Sequence, residues 1–315
     1  MACYQITLAS VREDSLAVDY ITQINMTWKD PRLAFDPKDY GNEYSLIMPP
    51  NSVWIPRIDI YNGKNNRDIK SDAQDDVVEV RYDGSASQVS YVYLESLCSI
   101  DVSQFPFDEQ WCVFGFTSAT VPVEKLTIDV IPELVFTVGL PEWEILGAKS
   151  FEISYLQRDR NFSLAEVAVH LKRKPQFYIH LLILPTFIVT TICISAMLLP
   201  IDVDLGERIN LGIAGLLSLT FMLSIMLSEL PKSPSLPLMG KWVIAEITIC
   251  CIAMFIPMAL NITERRLSKR YDLRCYLKTA TLCFFILVNV ANALTTILLF
   301  VARDRIPDLA AYKAV

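Results

Sequence analysis

The hydrophobic pattern changes character near residue 173. Before it, apolar positions come in short, alternating or β-rich runs: ACYQITL at the start, VVEVRYD (77–83), QVSYVYLESLCSI (88–100), QWCVFGFT (110–117) and KLTIDVI (125–131). A period of two with turn residues between the runs reads as strands that bury one face. Asn62-Gly63, Asp83-Gly84 and Pro49-Pro50 supply the turns. No long helical period competes, so an antiparallel β-sandwich of about ten strands is expected over residues 1–174. After the change the apolar runs become long, at about 177–199, 209–228, 242–260 and 278–301. Each is long enough to cross a hydrocarbon core of about 30 Å at roughly 1.5 Å per residue. Residues 175–315 therefore read as a four-helix transmembrane bundle. Pro185 and Pro257 are expected to kink the first and third spans. Glu246 lies inside the third, so it should face the bundle or the water boundary.

The second span is not uniformly greasy. Asn210, Ala214, Leu217, Phe221, Ser224 and Ser228 follow steps of four and three and share one helical face. That face is polar or small at its ends and apolar in its middle. Polar rings with an apolar constriction suit a helix lining a narrow water path. Small and hydroxyl residues also pack helix bundles in lipid, and the stripe alone leaves both readings open.

Charge divides the chain the same way. Residues 1–172 carry 14 Lys+Arg against 26 Asp+Glu; residues 173–315 carry 14 against 9. The basic excess within 261–278 (Arg265, Arg266, Lys269, Arg270, Arg274 and Lys278) marks the loop 261–277 as cytoplasmic. The N-terminal domain, the loop 229–241 and the C-terminus are then extracellular, as expected of a multi-pass plasma-membrane protein. The first residues read as a strand, as in a chain without a secretory signal. Sequons at Asn25 and Asn161 suit the extracellular address. Of eight cysteines, Cys98 and Cys112 are the pair within the first domain, Cys3 at the chain end apart. A disulfide closing about 15 residues is worth roughly 3 kcal/mol; two free thiols in a core are the alternative. Two histidines and no Cys/His cluster give no metal site, no cofactor is indicated, and no nucleic-acid partner is expected. His170 and His180 have no nucleophile at readable spacing, and no phosphate-cradling loop exists, so an enzyme is disfavoured.

The loop between the two cysteines reads C-x-I-D-V-x-x-F-P-F-D-x-Q-x-C, residues 98–112. It resembles the signature loop of the Cys-loop receptors, the pentameric ligand-gated ion channels. The run from Trp28 to Pro37 with Asp39-Tyr40-Gly41 resembles the family's W-x-D-x-x-L-x-W-x-P-x-D-Y-G, and Val53-Trp54-Ile55-Pro56 with Tyr61-Asn62 resembles its W-x-P-D…Y-N. The likeness covers essentially the whole chain and is nearest the acetylcholine-receptor-like branch.

The resemblance implies a homo- or heteropentamer in lipid, opened by a small-molecule agonist and passing cations through a pore lined by the second helix. Glu207 would form a carboxylate ring at the cytoplasmic mouth beside Asp202 and Asp204; a solvated helix-end carboxylate is the plainer alternative. Leu217 stands at the family's gate position, and Phe221 one turn outward adds a second constriction. Coupling would run through Phe105, Pro106, Phe107 and Asp108, through Pro231 and Pro237, and through Arg173, with Glu13 or Asp14 as its partner. An interfacial anchor beside the headgroups is the other reading of Arg173. The aromatic agonist box is only partly kept. Tyr155 and Phe162 flank a turn matching the capping loop, and Tyr61 is present, but Ala119 and Gln23 stand where rings are usual. Each lost ring removes about 0.5–2 kcal/mol of cation recognition, so acetylcholine is not the expected agonist. Arg57, Arg158 and Arg160 suit an acidic ligand or a solvated rim. A partner subunit with a degenerate agonist site is the alternative function, and a ligand-binding module on a purely structural bundle is a third.

Overall fold

In the computed structural model the described residues are 2–64, 77–135, 140–196, 205–230, 236–266 and 271–301; within 2–5, 131–135, 260–266 and 271–275, and at 205, 208, 229, 257, 277 and 278, only the backbone is described. The chain forms two compact units. One holds the strands; the other joins the helices from Arg173 onward to the segment Asp101–Asp108.

The first unit has ten strands among its described residues: β1 (Ala2–Arg12), β2 (Ala17–Lys29), β3 (Ser45–Met48), β4 (Asp59–Ile60), β5 (Val78–Arg81), β6 (Ser85–Leu97), β7 (Glu109–Thr117), β8 (Ile131–Val135), β9 (Trp143–Gln157) and β10 (Arg160–Arg173), the last running to the first residue of the helical unit. They make a six-stranded sheet in the order β3-β5-β6-β2-β1-β8 and a four-stranded sheet β4-β7-β10-β9. Pairing is antiparallel except between β1 and β8, which run parallel. The alternation of β6 is the clearest case of a sequence choosing its face. Ala86, Gln88, Ser90, Val92, Leu94 and Ser96 are buried, whereas Val89, Tyr91, Tyr93 and Leu97 stay exposed. The inner faces meet in one core: Tyr20 of β2 lies with its ring 5.0 Å from that of Phe114 on β7. Cys98 and Cys112 are joined in a disulfide, with Cα atoms 5.2 Å apart, tying the end of β6 to β7.

Turn chemistry explains two joints. Between β5 and β6, Gly84 has φ +81°, and a Cβ there would meet the Asp30 carbonyl oxygen at 2.6 Å, so glycine is required. Between β9 and β10 the turn is Arg158-Asp159, both at positive φ, 50° and 61°. A two-residue hairpin turn of this hand needs such dihedrals, and it is strained without glycine. The run 125–131, read as a strand, is different in the structure. Pro122 opens a turn whose carbonyl accepts from Lys125 and Leu126, and the strand begins at Ile131.

A polar network sits near the turn end of the β1–β2 hairpin. Arg12 donates to Asp19 at 2.7 Å and to Glu95 at 2.6 Å, and Ser10 donates to the other Asp19 oxygen. Burial by itself would raise the Asp19 pKa; hydrogen bonds from Ser10, Arg12 and Tyr93 outweigh it and hold the carboxyl below its usual value of 3.8.

The second unit contains four helices long and apolar enough to cross a membrane: α1 (Gln176–Ser195), α2 (Leu205–Glu229), α3 (Leu238–Arg266) and α4 (Tyr271–Val301). In α1, Ile179–Ile183 form a π-helical turn just before Pro185. Proline has no N–H to donate back one turn, and the local widening accommodates that loss. α3 is helical through Pro257. Both α3 and α4 run past the apolar spans of the sequence pattern, because polar ends of a helix need not lie in hydrocarbon. The basic segment falls partly on the ends of α3 and α4 and partly outside the described residues, as do residues 302–315.

One expectation concerns acid. Asp19 has a depressed pKa in the folded state, so its contribution is present above about pH 4 and is lost as pH falls through the folded value. Asp19→Asn should lower stability at pH 7 by roughly 1–2 kcal/mol, because Arg12 is half exposed, and the melting temperature with it. The gap to wild type should shrink below pH 4, which thermal denaturation across pH 3–7 measures directly.

Candidate functional site

Three regions carry the residues of interest, and each is built from its own elements. The first is α2. Its Gly212, Gly215, Leu219 and Met226 are buried, while Asn210, Ala214, Leu217, Phe221, Ser224 and Ser228 are exposed. Leu217 is 70 % exposed and Phe221 62 %. The glycines explain the orientation. A Cβ at Gly215 would overlap Cys193 Sγ of α1, and one at Gly212 would overlap the Met254 side chain of α3. Only that face lets the backbone approach its neighbours, so the opposite stripe points away from the subunit's own bundle. Ser218 and Ser228 return their hydroxyls to carbonyls one turn back, Ala214 and Ile225. Glu207 is exposed in the first turn of α2; Asp202 and Asp204 lie outside the described residues.

The second region is Asp101–Asp108, the loop between β6 and β7, which packs with the helices. The Ser103 and Phe105 carbonyls accept from Leu238 and Met239 at the start of α3, at 2.9 and 3.3 Å. Phe105 and Pro106 are joined by a cis peptide. The Phe105 ring meets Tyr178 edge-on at 4.7 Å, and Phe107 lies 5.7 Å from Phe300 of α4. Asp108 grips Arg173 with both oxygens, Nε to Oδ1 at 2.8 Å and Nη2 to Oδ2 at 3.2 Å. The two side chains are 2 % and 0 % exposed. The guanidinium also sits over the Phe105 ring at 4.9 Å. Asp108 thus supplies a carboxylate to Arg173 from within the helical unit; Glu13 and Asp14, named from the sequence, belong to the first unit. Pro237 is buried just before α3, and Pro231 lies outside the described residues.

The third region is on the four-stranded sheet. Tyr155 of β9 lies between Tyr61 and Phe162, with centroids at 5.9 and 5.8 Å. Its hydroxyl is 3.1 Å from Thr117 Oγ1, which donates to the Ser163 carbonyl. Tyr61 is 57 % exposed and gives the cluster an open side. Asp59, paired with Thr117 across β4 and β7, accepts from the Ala119 N–H at 3.4 Å and from Arg57 at 3.3 Å. Sequence reasoning passed over Asp59 and Thr117. The signal for Asp59 was its place two residues before Tyr61; Thr117 had none, because its partner is remote in sequence. Arg57, read as a candidate for an acidic ligand, is turned toward Asp59, and Arg158 forms the hairpin tip. Gln23 does not join these rings. It sits on β2 of the other sheet, between Gln5 and Tyr91 in register. Of the sequons, Asn161 is exposed at the start of β10, whereas Asn25 lies within β2 with its Oδ1 buried. Among the described residues no group of three or more His, Cys, Asp or Glu is placed to hold a metal ion.

The buried Asp108–Arg173 pair allows a direct test. Asp108→Asn keeps the shape but removes the negative charge from a two-point grip on a buried guanidinium, which should destabilise the helical unit by about 3–5 kcal/mol. Thermal unfolding of the detergent-solubilised protein would show it as a lower melting temperature, with the β-rich circular dichroism retained. Gly215→Ala should lower it too, through the clash with Cys193, and Cys193→Ala should partly restore it.

Comparison with known proteins places this geometry. Residues 1–175 match the family described as neurotransmitter-gated ion-channel ligand binding domain. The chain is 32 % identical to a neuronal acetylcholine receptor subunit alpha-9-I of Oncorhynchus mykiss over 253 residues, 78 % of this chain and 44 % of the relative. It is 33 % identical to the alpha-10 subunit of Rattus norvegicus, over 72 % of this chain and 51 % of the relative. It is 29 % identical to the 5-hydroxytryptamine receptor 3A of Cavia porcellus, over 82 % and 54 %. The chain thus spans about half the length of the curated relatives it matches. A match to the ligand-binding-domain family over the β-sandwich with its loop disulfide, followed by four helices long and apolar enough to span a membrane, makes this chain a member of the neurotransmitter-gated ion channels, in the nicotinic-like branch, a family of channels and not of enzymes.

Proposed function

We propose that the chain is a subunit of a pentameric, ligand-gated, cation-selective channel of the plasma membrane, with α2 lining the pore and agonist bound outside the cell at subunit interfaces. The observation that carries this reading is the outward stripe of α2. Its residues face away from the subunit's own helices, and Leu217 and Phe221 are large apolar side chains left uncovered. Five such helices around an axis would cover them against one another and make two apolar rings between polar ends, a gate that closes by dewetting. Glu207 at the first turn would give five carboxylates at one mouth, attracting cations. The Phe105–Asp108 loop, held on α1, α3 and α4 by rings, carbonyls and the Arg173 pair, is the lever by which a change in the strands would reach the bundle.

The agonist site supports a weaker cation box than the relatives' names suggest. Tyr61, Tyr155 and Phe162 form one aromatic wall with Asp59 near it, which suits a cationic amine more than an acid. Ala119 and Gln23 bring no rings. That thin wall favours one second reading, a partner subunit whose pentamer takes its agonist affinity from a different subunit.

The test bypasses the agonist. Leu217→Thr places a hydroxyl in the constriction and should ease hydration by roughly 1 kcal/mol in each subunit, about 5 kcal/mol over five. The expected outcome in expressing cells is a resting current whose reversal potential follows sodium. Adding Glu207→Gln should move the reversal potential toward insensitivity to sodium. Reversal following chloride would overturn cation selectivity. Surface expression without current would favour the partner-subunit reading. Phe221→Ala alone should raise resting leak; an unchanged leak would remove the second ring.

A further inference from the structure

The β7–β10 ladder ends in a cluster that the channel reading leaves without a task. Its closing pairs are His170 with Trp111 and, two steps on, Lys172 with Glu109. Residues two apart on a strand share a face, so all four side chains stand on one side of the sheet. The rings of Trp111 and His170 stack at 4.3 Å, with their planes 6° apart. Lys149 of β9 holds its ammonium over the same indole, 5.5 Å from the centroid. Glu109 accepts from Lys172 on Oε1 at 2.7 Å, and its Oε2 lies 3.0 Å from His170 Nε2. The His170 and Glu109 side chains are largely shielded, 16 % and 13 % exposed.

One atom of this cluster is out of balance. His170 Nε2 is buried and makes no aligned hydrogen bond, although the carboxylate oxygen is 3.0 Å away. A neutral imidazole therefore gains little from Glu109, because a hydrogen bond needs direction. A protonated imidazole gains more, because attraction between full charges needs only proximity. The stack adds to the difference, since Trp111 offers a ring face to an imidazolium as it does to Lys149. Against protonation stand the two cations that face the site, Lys172 of β10 and Lys149 of β9. Lys172 is offset by the other oxygen of Glu109, and Lys149 is exposed, where water and salt screen it.

We propose that His170 is a proton-binding site, and that its occupancy sets how firmly the end of the β7–β10 ladder holds the Asp101–Asp108 loop. Histidine is the side chain suited to change charge near neutral pH. The link to the loop is short and runs through the chain itself. Glu109 follows Asp108, and Lys172 precedes Arg173. The hydrogen bonding of the ladder continues past them, with the Arg173 N–H donating to the Asp108 carbonyl at 3.1 Å. With His170 neutral, Glu109 holds one cation. With His170 protonated it holds two, both from β10, and the closing pairs of the ladder are tied more tightly. Acid thus steadies the loop where it joins β7, and neutral pH loosens it.

Trp111 reports on the site, because an imidazolium stacked on an indole quenches its fluorescence. The full chain in detergent would be titrated from pH 8 to pH 5 while tryptophan emission is followed. Emission should fall along a one-proton curve. His170→Gln and Trp111→Phe should each remove that component, whatever the other four tryptophans contribute. Glu109→Gln, which keeps the shape and removes the counter-charge, should move the midpoint about one pH unit lower. Hydrogen exchange of residues 101–108, corrected for the intrinsic effect of pH, should slow severalfold in acid, and His170→Gln should erase that slowing. A fall in emission that survives His170→Gln, or a midpoint unmoved by Glu109→Gln, would overturn the proton site. Loop exchange with the same pH dependence in wild type and His170→Gln would overturn its hold on the loop. None of these outcomes bears on whether α2 lines a pore.

Discussion

The buried ion pair between Asp108 and Arg173 is the constraint on which the second unit depends. Two opposite charges, almost fully withdrawn from water, hold together only if each satisfies the other in good geometry. Here the carboxylate meets the guanidinium in a two-point grip, and the Phe105 ring covers the cation from one side. Breaking any of these leaves a charge without solvent. The pair therefore fixes the approach of the β6–β7 loop, the start of α1 after Arg173 and the docking of Ser103 and Phe105 on the first turn of α3. The disulfide at Cys98 and Cys112 closes the two ends of that loop, so it is held by charge at Asp108 and by a covalent bond at its base.

The bundle obeys a different rule. In lipid the hydrophobic effect between helices is weak, so close backbone approach decides which faces meet. On α2 this falls to Gly212 and Gly215, which seat the helix on Cys193 of α1 and Met254 of α3. The choice of inward face also chooses the outward one. Leu217 and Phe221 are exposed because the glycines are buried, which is a physical link between the packing of one subunit and its proposed role in an assembly of five.

The aromatic wall of the first unit shows how β topology collects remote residues. Tyr61 directly follows β4, Thr117, Tyr155 and Phe162 come from β7, β9 and β10, and register brings them together. Asp59 joins through its pairing with Thr117, and it turns Arg57 from an available cation into one already partnered. The wall is built from few rings, and Ala119 and Gln23 add none to it.

The sequence by itself determined the strand-rich first half, the four apolar helices, the cysteine pair, and the stripe on α2. Each is written in local periods, and a period of 2 or 3.6 survives without knowledge of neighbours. It also marked Glu246 as a residue that had to be sheltered. Only the tertiary structure decided what lies across from what. That β1 pairs in parallel with β8, that 125–131 begins as a turn, that Asp108 faces Arg173, and that Thr295 faces Glu246 all depend on contacts between residues far apart in the chain. Such partners leave no mark in a local pattern, because hydrogen bonds and ion pairs are chosen by distance in space and not by separation along the sequence.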